Sequence, residues 1–127
     1  MKQTDNFKFD EANVMNELVY RNLSEDEKRQ ICAWKYGGEY DLYNLPSYEE
    51  MQVRQIGFMN PQREKNYYGF WDESILVGFV NILEEKEEVF IGIGVNPDLC
   101  NKHYGQRMLL ITYEISKKLY PNKPLYL

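Results

Sequence analysis

The groups best suited to chemistry lie between Val89 and Leu110, in the run VFIGIGVNPDLCNKHYGQRMLL. The run reads as a β-strand, a short loop and the first turns of an amphipathic helix. A tight loop from strand to helix points several backbone N–H groups, and the positive end of the helix dipole, at one place. That arrangement suits a phosphate or pyrophosphate group. The spacing matches neither the dinucleotide-binding fingerprint nor the phosphate-binding loop that ends in Gly-Lys-Ser/Thr.

Few other side chains offer chemistry of their own. His103 is the only histidine, and we predict an exposed loop residue rather than a base or a metal ligand. Cys32 and Cys100 lie far apart without a ligand pattern, so we expect reduced thiols and no metal site. Glu88 is predicted to point away from the strand face that carries Ile93, because side chains alternate along a strand. No catalytic base or acid is therefore assigned.

Length, composition and charge bound the class of protein. At 127 residues, with 43% hydrophobic and 28% charged residues, the chain is typical of one globular domain. Its net charge of −5 argues against a nucleic-acid partner and would attract a cationic amine. We find no signal peptide and no apolar run long enough to span a bilayer, which predicts a cytoplasmic protein without a membrane partner. Residues 1–17 are predicted to form an N-terminal extension.

Two helices are predicted after a first strand over Leu18 to Leu23. Each opens on a serine that is followed three residues later by a glutamate, which is the pattern of a capping box. The first helix runs from about Glu25 to Trp34 behind Ser24, and the second from about Tyr48 to Phe58 behind Ser47.

The hydrophobic period then changes to two, which indicates strands. Three β-rich runs, Tyr67 to Trp71, Ile75 to Leu83 and Glu88 to Val95, are separated by segments short enough for hairpin turns. They predict an antiparallel meander. Gly92 and Gly94 interrupt the last run, which predicts a bulge or the close approach of another backbone or a ligand.

A closing helix is predicted from about Tyr104 to Tyr120. Its apolar face follows the i, i+3, i+4 rule over Met108, Ile111, Ile115 and Leu119. The segment from Lys123 to Leu127 is predicted to begin another strand.

This order of elements, and the motifs within it, resemble the GNAT superfamily of N-acetyltransferases from about Leu18 to Leu127. The loop of that family reads Arg/Gln-x-x-Gly-x-Gly/Ala, and its positions fall on Cys100, His103 and Gly105, of which Gly105 keeps the family residue. The segment ICAWKYGGEYDLYN, residues 31–44, is similar to the acceptor-side loop of a bacterial branch.

The resemblance implies an α/β fold of the α+β type, in which helices flank a mixed, mainly antiparallel sheet. It assigns residues 18–127 to a partial acyl-CoA-binding domain. We expect this domain to be truncated after the fifth strand, because the family continues with a helix and a hairpin that supply one wall of the acceptor cleft.

The resemblance further implies transfer of an acetyl group from acetyl-CoA, as co-substrate, to a primary amine on a small molecule or a peptide. The backbones of Ile93 and Val95 would pair with the thioester and the pantetheine arm. The pyrophosphate would be held by the N–H groups of Asn101, Lys102, His103, Tyr104, Gly105 and Gln106. The acceptor would contact Trp34, Tyr36 and Tyr40.

A second interpretation comes from a different class of function. A sheet that ends in an open strand edge invites pairing with another chain. The chain would then be a non-catalytic relic or an interaction module, and a homo-oligomer would form through the exposed strand edge. The incomplete loop motif favours this interpretation, and the strand pattern favours the enzyme.

Overall fold

Five strands form one sheet in the computed structural model, which describes residues 18–127. The strands lie side by side in chain order, and β1 to β4 are antiparallel whereas β5 runs parallel to β4. Their bounds are Val19–Asn22 (β1), Tyr67–Asp72 (β2), Ile75–Glu84 (β3), Val89–Val95 (β4) and Leu125–Tyr126 (β5). The extension predicted over residues 1–17 lies outside the described residues.

Three α-helices flank this sheet, which confirms the predicted α+β class with a mixed, mainly antiparallel sheet. They are Glu25–Cys32 (α1), Tyr48–Arg54 (α2) and Tyr104–Leu119 (α3). Short 3-10 helices lie between these elements, at Gly38–Tyr43, Gly57–Met59, Glu64–Asn66 and Pro97–Leu99.

The predicted capping box at the start of α1 is confirmed. The Ser24 hydroxyl accepts a hydrogen bond from the Glu27 N–H, and the Glu27 carboxylate accepts one from the Ser24 N–H. Ser47 caps α2 in the same way through its hydroxyl. The predicted end of α2 at Phe58 is wrong, because Gln55 takes a left-handed conformation with φ 53° and stops the helix at Arg54. α1 likewise ends two residues early, at Cys32.

The sheet has a hydrophobic cluster on each face. α3 packs on one face through Met108 and Ile115, over Val80, Ile82 and Val89. The other face is covered by α1, α2 and the segments that follow them, in a cluster that includes Ile31, Trp34, Met51, Phe58 and Trp71. Cross-strand partners share a face, so the register between β3 and β4 places Phe79 and Gly94 together on this second face.

The predicted burial of Leu119 on α3 is wrong, because this side chain is 50% exposed and the buried positions of the last turns are Ile115 and Ser116. Of the two interpretations of Gly92 and Gly94, the bulge is also wrong, because β4 pairs with β3 without one. The close approach of another backbone or a ligand at these glycines stays a prediction. Gly94 leaves room for a side chain, since a Cβ there would lie 2.4 Å from Cε1 of Phe79.

A buried lysine joins the elements on the second face. Lys28 of α1 is 2% exposed, and its ammonium contacts Glu25 at 3.0 Å and Glu64 at 2.5 Å. Burial alone would lower the pKa of Lys28, but the hydrogen bonds to these carboxylates outweigh it and raise that pKa. The Tyr48 hydroxyl donates to the other oxygen of Glu25. This network fixes α1 against α2 and the 3-10 turn that precedes β2.

Candidate functional site

A cleft of about 880 Å³ lies between the C-terminal half of β4 and the segment that follows α1. The α1 side contributes Trp34, Lys35, Tyr36, Tyr40 and Tyr43, and the sheet contributes Phe79, Ile93, Gly94 and Val95. Asp98, Cys100 and Asn101 line the end of the cleft where β4 gives way to the loop before α3.

The edge of β4 that borders this cleft is open over its C-terminal half. The Val89 N–H donates to Pro124 on the β5 side, and the Asn96 N–H donates to Val77 on the β3 side. Because backbone groups alternate between the two edges of a strand, Ile93 and Val95 present their N–H and C=O groups on the β5 side. Within the described residues, β5 pairs only with Val89 and Phe90. The backbone groups of Ile93 and Val95 therefore lie beyond that ladder.

The hydroxyl of Tyr36 reaches this open edge. It donates a hydrogen bond to the Val95 carbonyl at 2.6 Å, which is direct support for the orientation of that carbonyl. The Asn44 side chain holds the backbone of Tyr36 through two hydrogen bonds. The Tyr36 N–H donates to Oδ1 of Asn44 at 2.6 Å, and Nδ2 of Asn44 donates to the Tyr36 carbonyl at 3.4 Å. Burial, followed by the nearby Cys100 thiol, raises the pKa of Tyr36, so the hydroxyl keeps its proton at neutral pH.

Aromatic rings make up most of the opposite wall. Trp34 is 9% exposed, and its ring centroid lies 6.3 Å from that of Phe79. The Phe79 ring in turn lies over Gly94. Tyr40 and Tyr43 stand at the rim and are 57% and 62% exposed. The packed rings of Trp34 and Phe79 thus form the floor of the cleft, and two solvent-facing tyrosines stand at its mouth.

The loop from β4 to α3 is shaped by the Asn96 side chain. Its oxygen accepts from the Asp98 N–H at 2.9 Å, and its nitrogen donates to the Leu76 carbonyl at 3.1 Å. Farther along, Asn101 and His103 take left-handed conformations, with φ 70° and 65°. That conformation suits glycine, so His103 occupies a backbone geometry that a side chain strains.

The N-terminus of α3 lies beside the end of β4. A Cβ on Gly105 would be 3.6 Å from Cγ2 of Val95. The first N–H groups of a helix have no acceptor within the helix, and they carry the positive end of its dipole. Backbone donors from the helix start and from the strand edge thus lie at the same corner of the fold.

The structure brings the residues predicted from sequence into two adjoining places. All three acceptor-side residues, Trp34, Tyr36 and Tyr40, line the cleft together with Ile93, Val95 and Asn101. The remaining predicted residues form the loop end and helix start beside it, at Lys102, His103, Tyr104, Gly105 and Gln106. The Tyr104 side chain is engaged elsewhere, because its hydroxyl donates to Asp72 at 2.6 Å. Only its backbone is available at this corner.

Several cleft residues were not found from the sequence. Phe79 is one of them. An antiparallel register of β3 and β4 pairs Phe79 with Gly94, and that pair is the sequence signal that could have identified it. Asp98 has no distinctive pattern in the sequence, whereas Tyr43 lies within the segment 31–44 that resembles the acceptor-side loop. Asp98 is the only carboxylate among the cleft residues that the structure describes.

Metal and membrane features were also sought over residues 18–127. No group of three or more histidine, cysteine, aspartate or glutamate side chains there is arranged to hold a metal ion. None of the helices in that range combines the length and the apolar character that crossing a bilayer demands.

Known proteins resemble this chain in fold. A crystal structure of a proposed acetyltransferase from Pyrococcus horikoshii shares 15% identity with a TM-score of 0.56, over 90% of this chain and 37% of that one. A chimera of the spermidine N-acetyltransferase SpeG from Vibrio cholerae and hSSAT shares 16% identity with a TM-score of 0.56, over 80% of this chain and 63% of that one. No protein-family model and no curated protein matches the sequence.

These likenesses establish the fold, which is that of the GNAT acetyltransferases. The chain spans 37% and 63% of the two matched chains.

Proposed function

From the GNAT fold of this chain, we infer that it binds acetyl-CoA in the cleft and serves as an N-acetyltransferase toward a primary amine. The observation that carries the inference is the open edge of β4 at Ile93 and Val95, which faces an aromatic cleft and adjoins the start of α3. A strand edge offers an extended ligand the same alternating donors and acceptors that a neighbouring strand would offer.

The residues present fit the two ends of such a co-substrate. The amide groups of the pantetheine arm would pair with the edge at Ile93 and Val95. The pyrophosphate would lie against the N–H groups between Asn101 and Gln106, where the helix dipole favours an anion. Tyr36 already donates to the Val95 carbonyl, and that oxygen has a second lone pair for a ligand N–H.

The reaction would be direct acyl transfer within the cleft. The acceptor ammonium first loses a proton to water, and the neutral nitrogen attacks the thioester carbonyl carbon. The C–N bond forms and the C–S bond breaks, so the sulfur leaves with the bonding electron pair and takes up one proton. The nitrogen gives up a second proton, which leaves an amide, free CoA thiol and one proton released to solvent. A β4 N–H facing the carbonyl oxygen would stabilise the developing negative charge.

This function predicts that acetyl-CoA stabilises the folded chain and protects particular amides. At a concentration 100 times its Kd, a ligand of the folded state adds about 2.7 kcal/mol to the free energy of unfolding, which a thermal-shift assay detects. Amide hydrogen exchange should slow at Ile93 and Val95. Exchange at Tyr20, in the edge strand β1 at the far side of the sheet, serves as the control.

Two outcomes would contradict the proposed binding of acetyl-CoA. If millimolar acetyl-CoA leaves both the melting temperature and the exchange at Ile93 and Val95 unchanged, the chain is not an acetyl-CoA-binding protein. Protection that is uniform over the sheet, Tyr20 included, would also reject the proposed site.

A second candidate function uses the same strand edge. The chain would be an interaction module, derived from the acetyltransferase fold, whose β4 edge pairs with the β4 edge of a second copy. The short ladder to β5 favours it, since the backbone groups of Ile93 and the N–H of Val95 lie beyond that ladder and face the β5 side, where a strand could pair with them. A cytoplasmic location, with Cys32 and Cys100 as free thiols, suits either function.

Light scattering after size exclusion separates the two candidates. The interaction module predicts a dimer that acetyl-CoA does not dissociate. A monomer at high micromolar concentration would reject it. If acetyl-CoA converts the dimer to monomers, acetyl-CoA and the second copy compete for the β4 edge. That result would favour the acetyltransferase.

A further inference from the structure

The chemistry of the cleft lining restricts which amine the site can accept. Five aromatic residues line it: Trp34, Tyr36, Tyr40, Tyr43 and Phe79. Ile31, Leu45 and Ile93 add aliphatic surface. Among the described lining residues, the charged side chains are one carboxylate, Asp98, and one ammonium, Lys35.

We propose that the acceptor is a primary monoamine on an aryl-alkyl body, such as a phenylethylamine, and not a polyamine. This inference rests on the proposed acetyltransferase function and names its substrate class. Aromatic faces attract an ammonium group and pack against an aromatic ring, so both parts of such a molecule find partners in the cleft.

Charge matching gives the preference for a single amine. A polyamine carries two or more ammonium groups, and each one that enters the cleft loses water and needs a counter-charge. Asp98 can serve one ammonium, and Lys35 would repel a second. A monoamine leaves no such group unpaired.

The aromatic rings of the cleft fall into two groups, one fixed in the core and one at the rim. Trp34 and Phe79 are held in the core of the second face and form the fixed floor. Tyr40 and Tyr43 are solvent-facing, on the 3-10 helix Gly38–Tyr43, and can cover the aryl body at the rim. Substitution of these two tyrosines therefore tests binding without removing a core residue.

Calorimetric titration of the full chain with defined amines tests the proposal. Phenylethylamine is expected to bind about tenfold more tightly than spermidine, because spermidine brings additional unpaired ammonium groups. 2-Phenylethanol, which keeps the aryl body but lacks the charge, is expected to bind about fivefold more weakly than phenylethylamine. D98N should reduce that charge preference, because it removes the counter-charge while the aromatic faces stay in place. D98N leaves the loop intact, because Asn96 bonds the backbone N–H of residue 98 and not its carboxylate.

Matched variants on the 3-10 helix locate the aryl body. Y40A and Y43A should each weaken phenylethylamine binding by about threefold to fivefold. L42A is the control, because Leu42 belongs to the same helix and is 72% exposed but does not line the cleft. Equal losses in L42A, or spermidine binding as tightly as phenylethylamine, would overturn the proposal.

Failure of this inference can be told from failure of the proposed function. If acetyl-CoA stabilises the chain but phenylethylamine does not bind, the substrate class is wrong and the acetyltransferase stands. If phenylethylamine binds while acetyl-CoA does not, the cleft is an amine site and the acetyltransferase is wrong. Mass spectrometry that detects N-acetylphenylethylamine, formed from both ligands and lost in D98N and Y43A but not in L42A, supports both.

Discussion

The variant H103G is expected to bind acetyl-CoA about tenfold more tightly than the natural chain, which corresponds to about 1.4 kcal/mol. His103 has φ 65° immediately before α3, in the loop whose amides are proposed to hold the pyrophosphate. Glycine would remove the side chain from the approach to those amides and let one charge-assisted hydrogen bond shorten. Calorimetry with acetyl-CoA measures the change.

The same variant is expected to raise the free energy of unfolding by about 0.5 to 1 kcal/mol. A residue with a Cβ costs roughly 1–2 kcal/mol in the left-handed conformation, and the greater entropy of an unfolded glycine offsets part of the gain. Q55G is the matched control, because Gln55 has φ 53° at the end of α2 and does not line the cleft. Urea denaturation should show a similar gain for both variants, but only H103G should bind acetyl-CoA more tightly. A gain in stability without a gain in affinity would reject the assignment of the loop to the pyrophosphate.

The variant G94A is expected to lower the free energy of unfolding by about 1–3 kcal/mol, which is the usual cost of overpacking a filled site. A Cβ at Gly94 would lie 2.4 Å and 2.8 Å from Cε1 and Cζ of Phe79. The ring would have to move off the strand into the cleft. Phenylethylamine binding should then fall by about fivefold, since the floor on which the aryl body packs is displaced.

Two further variants test the steric cause. G92A places its methyl group on the same face of the same strand, but at 3.2 Å from the Phe90 ring and 3.6 Å from Asn81. It should stay within about 0.5 kcal/mol of the natural chain. F79L in the G94A background should recover stability relative to G94A alone, as a double-mutant cycle for a direct contact requires. Equal losses in G92A and G94A, or no recovery with F79L, would show that Phe79 is not the cause.

The parts of the fold that the sequence predicts well are those fixed by local chemistry. Ser24 and Ser47 mark helix starts because a hydroxyl acceptor followed by a glutamate satisfies free N–H groups within one turn. The strands of the meander follow from an alternation that is visible in the sequence. Gln55 could not be placed in the left-handed region, since glutamine has no strong local preference for it and the packing around α2 decides. The predicted burial of Leu119 is wrong for a similar reason. Helical periodicity does not show where the sheet beneath α3 ends.

The same contrast between local sequence patterns and tertiary contacts applies to the candidate site. The prediction for Ile93 and Val95 rests on the family resemblance, and their proposed role uses only the backbone groups of a strand that the sequence pattern predicts. Trp34, Tyr36 and Tyr40 came from a resemblance, and the structure places them in one cleft with that strand edge. The bond from the Tyr36 hydroxyl to the Val95 carbonyl joins positions that are 59 residues apart, and no local pattern reports such a pair. Binding by these residues remains a prediction.

The open edge of β4 also bears on how freely such a chain can diverge. Any amino acid except proline supplies the same N–H and C=O groups, so recognition through main-chain atoms places little demand on side-chain identity. Mutations can then accumulate around a ligand groove while its hydrogen-bonding capacity persists. The proposed recognition through main-chain atoms is compatible with an architecture shared at 15% identity. Searches for distant members of such a group would do better to compare the spacing of an unpaired strand edge and a helix start than to compare residues.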